Sequence, residues 1–299
     1  MQAEAHGRAP YLHMLWGSLA FAGMGAFGHL AGEYCSWQWV ALARTAVAFL
    51  IAYVVTKASG VKLVFWKPGT LWVRSLAGSA GLLGNFYALT HLPISDALTL
   101  SNTSPIFVTL LLWAVFDQKP HASTVMAVLM GIFGIVLIQQ PHFQSGWFAC
   151  LMALEGALGT SIAMIGLNRL QSVDPRAVVT HFSGVSSLTT AGFLLATGVM
   201  SEGRQPDGMK ALVFLFMTGL TGVLGQFGMT MAFARGHAAR VSVVILSQIF
   251  FALILDLVVW HRAINVISVI GMILVAAPTG WLILHDATRR AEKLAEAEA

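Results

Sequence analysis

Runs of about twenty apolar residues, recurring along nearly the whole chain between short polar breaks, constrain this sequence more than any other feature. They fall near 12–30, 36–55, 70–90, 94–116, 122–139, 146–168, 177–200, 210–233, 239–260 and 264–284. A helix of that length crosses the hydrocarbon core of a bilayer, and continuous apolar runs do not suit a transmembrane barrel, whose strands alternate. The breaks carry natural terminators: Lys57, Lys62, Lys67 and Pro68 after the second run, then Pro141, the Asp174–Pro175 pair and Pro206. Charged residues make up 10% of the 299 residues and hydrophobic ones 57%, where a soluble chain carries roughly 25% charged. A soluble Rossmann or barrel enzyme is therefore excluded. The expected fold is an all-α integral membrane protein with ten transmembrane helices.

Basic residues orient it. With the N-terminus cytoplasmic and every run spanning, Arg8, Lys57, Lys62, Lys67, Arg74, Lys119, Arg169, Arg176, Arg235, Arg240, Arg289, Arg290 and Lys293 lie inside. Only Arg204, Lys210 and Arg262 lie outside, and Arg44 falls within a span. The positive-inside rule then places both termini in the cytoplasm. No small-residue cleavage site follows a short apolar core near Met1 to Tyr11, so the first run is expected to remain as a span. Cys35 and Cys150 are too few for a disulfide framework or a metal knuckle and read as ordinary small residues. The net charge of +4 goes with cytoplasmic loops, not with nucleic acid.

The runs repeat. Trp16 with Gly25-Ala26-Phe27-Gly28 matches Trp147 with Gly156-Ala157-Leu158-Gly159, and Gly78, Gly81, Gly84 and Ala88 match Gly222, Gly225, Gly228 and Ala232. Ser104-Pro105-Ile106-Phe107 matches Ser247-Gln248-Ile249-Phe250. Each match pairs helix n with helix n+5, so the chain reads as two five-helix repeats, 1–141 and 142–285, followed by a charged cytoplasmic tail over 286–299. Five is odd, so the second repeat enters the membrane from the opposite side, and inverted repeats of this kind underlie many secondary transporters.

The segment Gly84-Asn85-Phe86-Tyr87-Ala88-Leu89-Thr90-His91-Leu92-Pro93, leading into Asp96-Ala97 and Ser104-Pro105-Ile106-Phe107, resembles the third-to-fourth helix region of the drug/metabolite transporter superfamily. Arg44 and Arg74 likewise resemble positions of its EamA-type domains. The resemblance covers nearly the whole chain and implies two tandem five-helix domains that export metabolites such as amino acids, nucleobase-like compounds or opine-type metallophores. Gln248 stands where the first repeat has Pro105, so helix nine is expected to lack the bend of helix four.

Glu155, near the middle of the sixth run, is the sharpest chemical signal, because an intramembrane carboxylate is costly unless it faces a cavity or a partner. It is expected to carry protons or anchor a substrate amine; the alternative is a helix–helix hydrogen bond. Arg44 is a second intramembrane charge, either a substrate contact or a snorkelling arginine. Asn85, Tyr87, Asn102, Gln226 and Gln248 offer polar groups that serve as interhelical glue or, on the helices that the resemblance puts around a central cavity, as substrate contacts. Gly78, Gly81 and Gly84 on one helix, and Gly222, Gly225 and Gly228 on another, are expected to let backbones approach closely. Trp16 and Trp147 read as interfacial anchors, and Asp96 and Asp256 as residues of the outer mouth or surface.

Gly23-Met24-Gly25-Ala26-Phe27-Gly28 matches the dinucleotide fingerprint in letters only, since it lies inside an apolar helix with no preceding strand. No cofactor or metal is expected, and nothing points to an enzyme. The expected function is secondary transport, chiefly export, of a small organic metabolite across a bacterial inner membrane, by a monomer or homodimer, with protons or the solute's own gradient as the driver. A channel or facilitator, and an intramembrane enzyme, are the alternatives. With Arg44 taken as the sole basic residue inside a span, the cavity is expected to suit apolar or zwitterionic solutes and to disfavour multiply charged anions.

Overall fold

The computed structural model of the chain describes residues 8–92, 94–140, 146–198, 204–260 and 265–281. The helices are α1 (Ala9–Gly32), α2 (Trp37–Ala58), α3 (Gly69–His91), α4 (Ile94–Ser101), α5 (Ser104–Phe116), α6 (Ala122–Gln139), α7 (Trp147–Asn168) and α8 (Pro175–Thr197). They continue with α9 (Gly208–Arg235), α10 (Ala238–Val244), α11 (Ser247–Trp260) and α12 (Val266–Trp281). No strand occurs among the described residues. The tail over 286–299 and Arg262 lie outside them.

Among the described residues seven segments are long and apolar enough to cross a membrane, two of them being α4–α5 and α10–α11 read through their breaks. Their outer faces carry large exposed apolar side chains, Leu50, Val54, Phe133, Leu188, Leu195 and Leu212 among them, which a soluble protein would not present. The chain is a multi-pass membrane protein. Helices α1 and α3 are 24 and 23 residues long, yet glycines and polar side chains dilute their apolar character.

The expectation that the ninth run lacks a bend is overturned: α4–α5 breaks at Asn102–Thr103, and α10–α11 breaks at Ile245–Leu246. Proline is not the cause. Pro105 sits in the first turn of α5, where a missing N–H costs nothing. Hydroxyls do the work instead: Thr103 Oγ1 donates to Leu100 O at 2.6 Å, and Ser247 Oγ donates to Val244 O at 2.7 Å. Carbonyls at both breaks are also met from neighbouring helices, Ser104 O by Ser161 at 2.9 Å and Val244 O by Ser18 at 3.4 Å.

The most extensive pairings are α1 with α9 and α3 with α7. Each is a backbone-to-backbone crossing. A Cβ at Gly81 would stand 2.8 Å from Gly156 O, 2.9 Å from Thr160 N and 3.2 Å from Gly159 C. A Cβ at Gly17 would meet the corresponding atoms of α9, Gly225 O and Met229 N at 3.2 Å and Gly228 C at 3.4 Å. In both crossings one glycine seats against two others three residues apart. Helix α8 is tied to α2 through Thr56 and Thr180 hydroxyls 2.8 Å apart, and to α3 through Ser79 and Ser186 hydroxyls 2.9 Å apart.

The main core lies at one end of the bundle. There Tyr11 and Met14 of α1, Leu71 of α3, Leu167 and Leu170 at the end of α7, Phe233 of α9 and Val241 of α10 pack together, all under 4% exposed. Asn168 Nδ2 locks that end, donating to Phe233 O and Gly236 O at 2.8 Å each.

Candidate functional site

Above this core the bundle opens into a large cavity of about 1870 Å³, more than the roughly 300–1,000 Å³ of a drug-sized pocket. Its mouth is bordered by the α1–α2 turn with Glu33, Ser36 and Gln38, by Gln139 and Gln140 after α6, by Arg204 and by Asn265. Its floor is Arg74, Phe182, Met164 and Gln226. The mouth is held in shape where Arg204 N donates to Ser36 Oγ at 2.6 Å and the Arg204 guanidinium donates to the carbonyls of Gly32 and Glu33. Cys35, in the same turn, is 2% exposed, and burial pushes its thiol up against the smaller opposing pull of Arg204.

Helical periodicity explains which side chains reach the wall. On α3, Arg74, Gly78, Leu82 and Asn85 share one face at spacings of four, four and three, and all four line the cavity. On α9, Thr218, Gln226 and Met229 take the corresponding positions, with Gly222 covered by Met24 and Arg44. Of the residues selected from the sequence, Asn85, Asn102, Gln226, Gln248 and Arg44 are brought together on this wall. Asn85 Oδ1 accepts from Ser101 Oγ at 2.8 Å, Asn102 Nδ2 donates to Leu98 O at 2.7 Å, and Arg44 Nε donates to Met24 Sδ at 3.0 Å.

Two are not on it. Tyr87 stacks on His91 at 3.9 Å between ring centroids, near the end of α3. Glu155 lies in the α3–α7 crossing, its carboxylate filling the space beside Gly84, while the Asn85 amide reciprocally fills the space over Gly156. Glycines 81, 225 and 228 serve the crossings, Gly78 faces Phe182 and Ala163, and Gly222 makes room for Met24 and Arg44. Asp96, expected at the mouth or surface, is fully buried in the first turn of α4.

Arg74 corrects a further expectation. It is not a residue of the basic end: α3 begins at Gly69, so Arg74 is more than one turn inside it, wholly buried. Arg44 is thus not the sole basic residue within a span, and the argument against anions that rested on that count falls with it. The Arg74 guanidinium lies 3.7 Å above the Phe182 ring centroid, and Nη2 donates to Gln226 Oε1 at 3.1 Å. Nε and Nη1 are buried without a partner. Cation–π contact contributes about 2 kcal/mol and one charged hydrogen bond about 1.5–3 kcal/mol, against a desolvation cost of several kcal/mol for the ion. Among the described residues neither Arg44 nor Arg74 is paired with a carboxylate, whereas Arg176 lies 3.3 Å from Asp174. The sequence signal was available, because Arg74 stands eleven residues before Asn85 on the same helical face.

The EamA-like transporter family matches residues 9–140 and again 147–283. The chain belongs to this family. Similar proteins match over most of its length. An uncharacterized transporter of Helicobacter pylori is 25% identical over 276 residues, covering 90% of this chain and 92% of that protein. The pseudopaline exporter CntI of Pseudomonas aeruginosa is 25% identical over 236 residues, covering 78% of this chain and 81% of the exporter. A solved crystal structure superposes with a TM-score of 0.79 at 18% identity, covering 95% of this chain and 99% of that one, which establishes a shared fold. The EamA domain, a member of the drug/metabolite transporter superfamily, is therefore present twice, and the chain is a transporter of that class.

Proposed function

We propose that this EamA-type protein exports small organic metabolites, amino acids and amino-acid-derived compounds foremost and opine-type metallophores among them, across a bacterial inner membrane by alternating access. The observation that carries the proposal is the cavity itself: polar amides and two arginines line its wall, one end is open, and a packed core closes the other. In this reading α4–α5 and α10–α11 each count as one span, giving ten, and the two halves are inverted repeats. The twin glycine crossings support that symmetry, since α3 with α7 and α1 with α9 are the pairings that exchanging the halves would interchange. With both termini cytoplasmic, the mouth faces outward.

A channel needs a continuous polar path, and the core at the closed end interrupts one, so a carrier is preferred over the facilitator reading. Glu155 then acts on coupling and not on binding, since its carboxylate stands outside the cavity wall. The test is counterflow of a labelled amino-acid and metabolite panel in proteoliposomes. Saturable exchange of at least one organic solute is expected; flux that does not saturate, or no exchange of any member, overturns the proposal.

A further inference from the structure

A second, smaller cavity lies at the closed end, between the α5–α6 linker and the α9–α10 turn. It holds about 40 Å³. Its inner wall is the buried Leu112 of α5, Thr124 of α6 and Ala239 of α10, and Leu112 and Ala239 belong also to the main core. Its rim is Lys119, His121, His237 and Arg240, and among the described residues no carboxylate lines it. Local backbone geometry builds this rim. Asp117 ends α5 in the left-handed region at φ 51°, and Gln118 N donates to Leu112 O at 2.9 Å, which folds the linker back over the end of α5. His121 then starts α6 without a side-chain cap on the first-turn N–H groups. On the other side Gly236 N closes α9 on Ala232 O at 2.8 Å, and Arg240 follows in the first turn of α10, its N–H donating to His237 O at 3.0 Å. His237 and Arg240 are also engaged by neighbours, whereas Lys119 and His121 are exposed.

We propose that this pocket binds a phosphoryl oxyanion. A lysine, an arginine, two imidazoles and the positive end of the 18-residue helix α6 border one small space with no carboxylate to offset them. Arginine supplies a fork of donors and lysine a compact charge, the two usual partners of phosphate. Size narrows the ligand further. A water needs about 10–15 Å³ of such space, so 40 Å³ takes about three water-sized groups, the bulk of a phosphoryl group and too little for an organic metabolite. Position indicates the source. On α5, just before the linker, Trp113 and Val115 are 52% and 63% exposed on the outer apolar face, and the Arg169 guanidinium lies 4.0 Å from the Phe116 ring centroid. That face ends where the pocket begins, so the pocket stands at headgroup level, where basic pockets between spans take anionic lipid headgroups. Free phosphate from the water layer offers the same chemistry. The linker belongs to the EamA match over 9–140 and the turn to the match over 147–283, so a bound anion bridges the two domains at the closed end. This site is independent of the solute in the large cavity.

The experiment follows thermal unfolding of the full-length protein in a neutral detergent at low ionic strength. Three additions are titrated: phosphatidylglycerol, phosphatidylcholine, and sodium phosphate against sodium chloride at equal ionic strength. Phosphatidylglycerol, phosphate or both should raise the melting temperature to a plateau. Chloride should not, nor should phosphatidylcholine, whose ammonium offsets its phosphate. Lys119→Gln alters an exposed side chain, so folding is retained, and the ligand concentration for half the effect should rise about fivefold, the factor for one basic residue beside an anionic headgroup. Adding Arg240→Gln should multiply that by a similar factor. Arg176→Gln, a basic residue at the same end but outside the pocket, should titrate like the wild type. A response to phosphatidylglycerol alone assigns the site to a lipid headgroup, and a response to phosphate alone assigns it to the free ion; both support the oxyanion site. A response to neither, phosphatidylcholine acting as strongly as phosphatidylglycerol, Lys119→Gln titrating like the wild type, or Arg176→Gln losing as much as Lys119→Gln would each overturn the inference.

Discussion

Adding one methyl group at Gly81 should be among the costliest small changes in this protein. A Cβ there meets three backbone atoms of α7 at 2.8, 2.9 and 3.2 Å, where ordinary contact begins at 3.4 Å. Backbone cannot rotate away as a side chain can, so α3 and α7 must separate by about 0.5 Å, and forced overpacking of this kind costs about 1–3 kcal/mol. The crossing also has little to fall back on, because association within lipid depends on close packing and not on hydrophobic exclusion. Gly25→Ala is the internal control. Nothing lies within 4 Å of its Cβ position, and alanine in a helix gains about 0.5–1 kcal/mol over glycine. The propensity gain is common to both variants, so unfolding in mixed micelles with increasing SDS, followed by circular dichroism, should place Gly81→Ala about 1–3 kcal/mol below Gly25→Ala. Gly228→Ala, which meets His13 O at 2.7 Å and Gly17 Cα at 2.8 Å, should behave like Gly81→Ala. If Gly81→Ala and Gly25→Ala unfold within about 0.5 kcal/mol of each other, the crossing is not limited by backbone contact and the reasoning fails.

Asn168→Ala removes both 2.8 Å bonds to the end of α9 and should cost about 1–3 kcal/mol through the carbonyls left unmet; the same SDS titration reads it, and a neutral result would mean that water replaces the amide. Glu155→Gln should fold normally and keep substrate affinity, while the dependence of transport on an imposed proton gradient is lost; an unchanged response to the gradient would make the residue a packing element of the α3–α7 crossing.

Much of this architecture could be read from hydropathy and spacing, since spans obey bilayer thickness and glycine ladders obey helical period. Gly81, Gly84, Gly225 and Gly228 stood out for that reason, and so did the amides at 85, 102, 226 and 248. Arg74 was misjudged because basic residues were counted by side of the membrane, and that count treats an arginine early in a span as part of the loop. Whether its side chain turns toward headgroups or toward a cavity depends on neighbours distant in sequence, here Phe182 and Gln226. The break at Ile245–Leu246 was missed for a related reason. Proline is a visible breaker, whereas serine hydroxyls acting on carbonyls declare themselves only once the neighbouring helix is in place. Glu155 was visible as a charge, but its position off the cavity wall depends on which face of α7 the glycines of α3 accept.

The twin glycine crossings bear on what moves. Where backbone meets backbone with no side chain between, two helices behave as one beam, and here each beam joins a helix from one half of the sequence to a helix from the other. The mechanical units are then α1 clamped to α9 and α3 clamped to α7, not the two EamA domains taken one at a time. Any rocking that closes the mouth must turn these mixed beams against each other, with the strain falling on the looser joints between them, such as the hydroxyl contacts along α8. Gly25 and Gly28, the counterparts of Gly156 and Gly159, make no backbone-to-backbone seat of this kind, Gly25 facing open space and Gly28 the side chains of Val40 and of Thr218 on α9. The two beams therefore differ in where along the helix the glycines meet, and α1 is gripped about two turns nearer its start than Gly25.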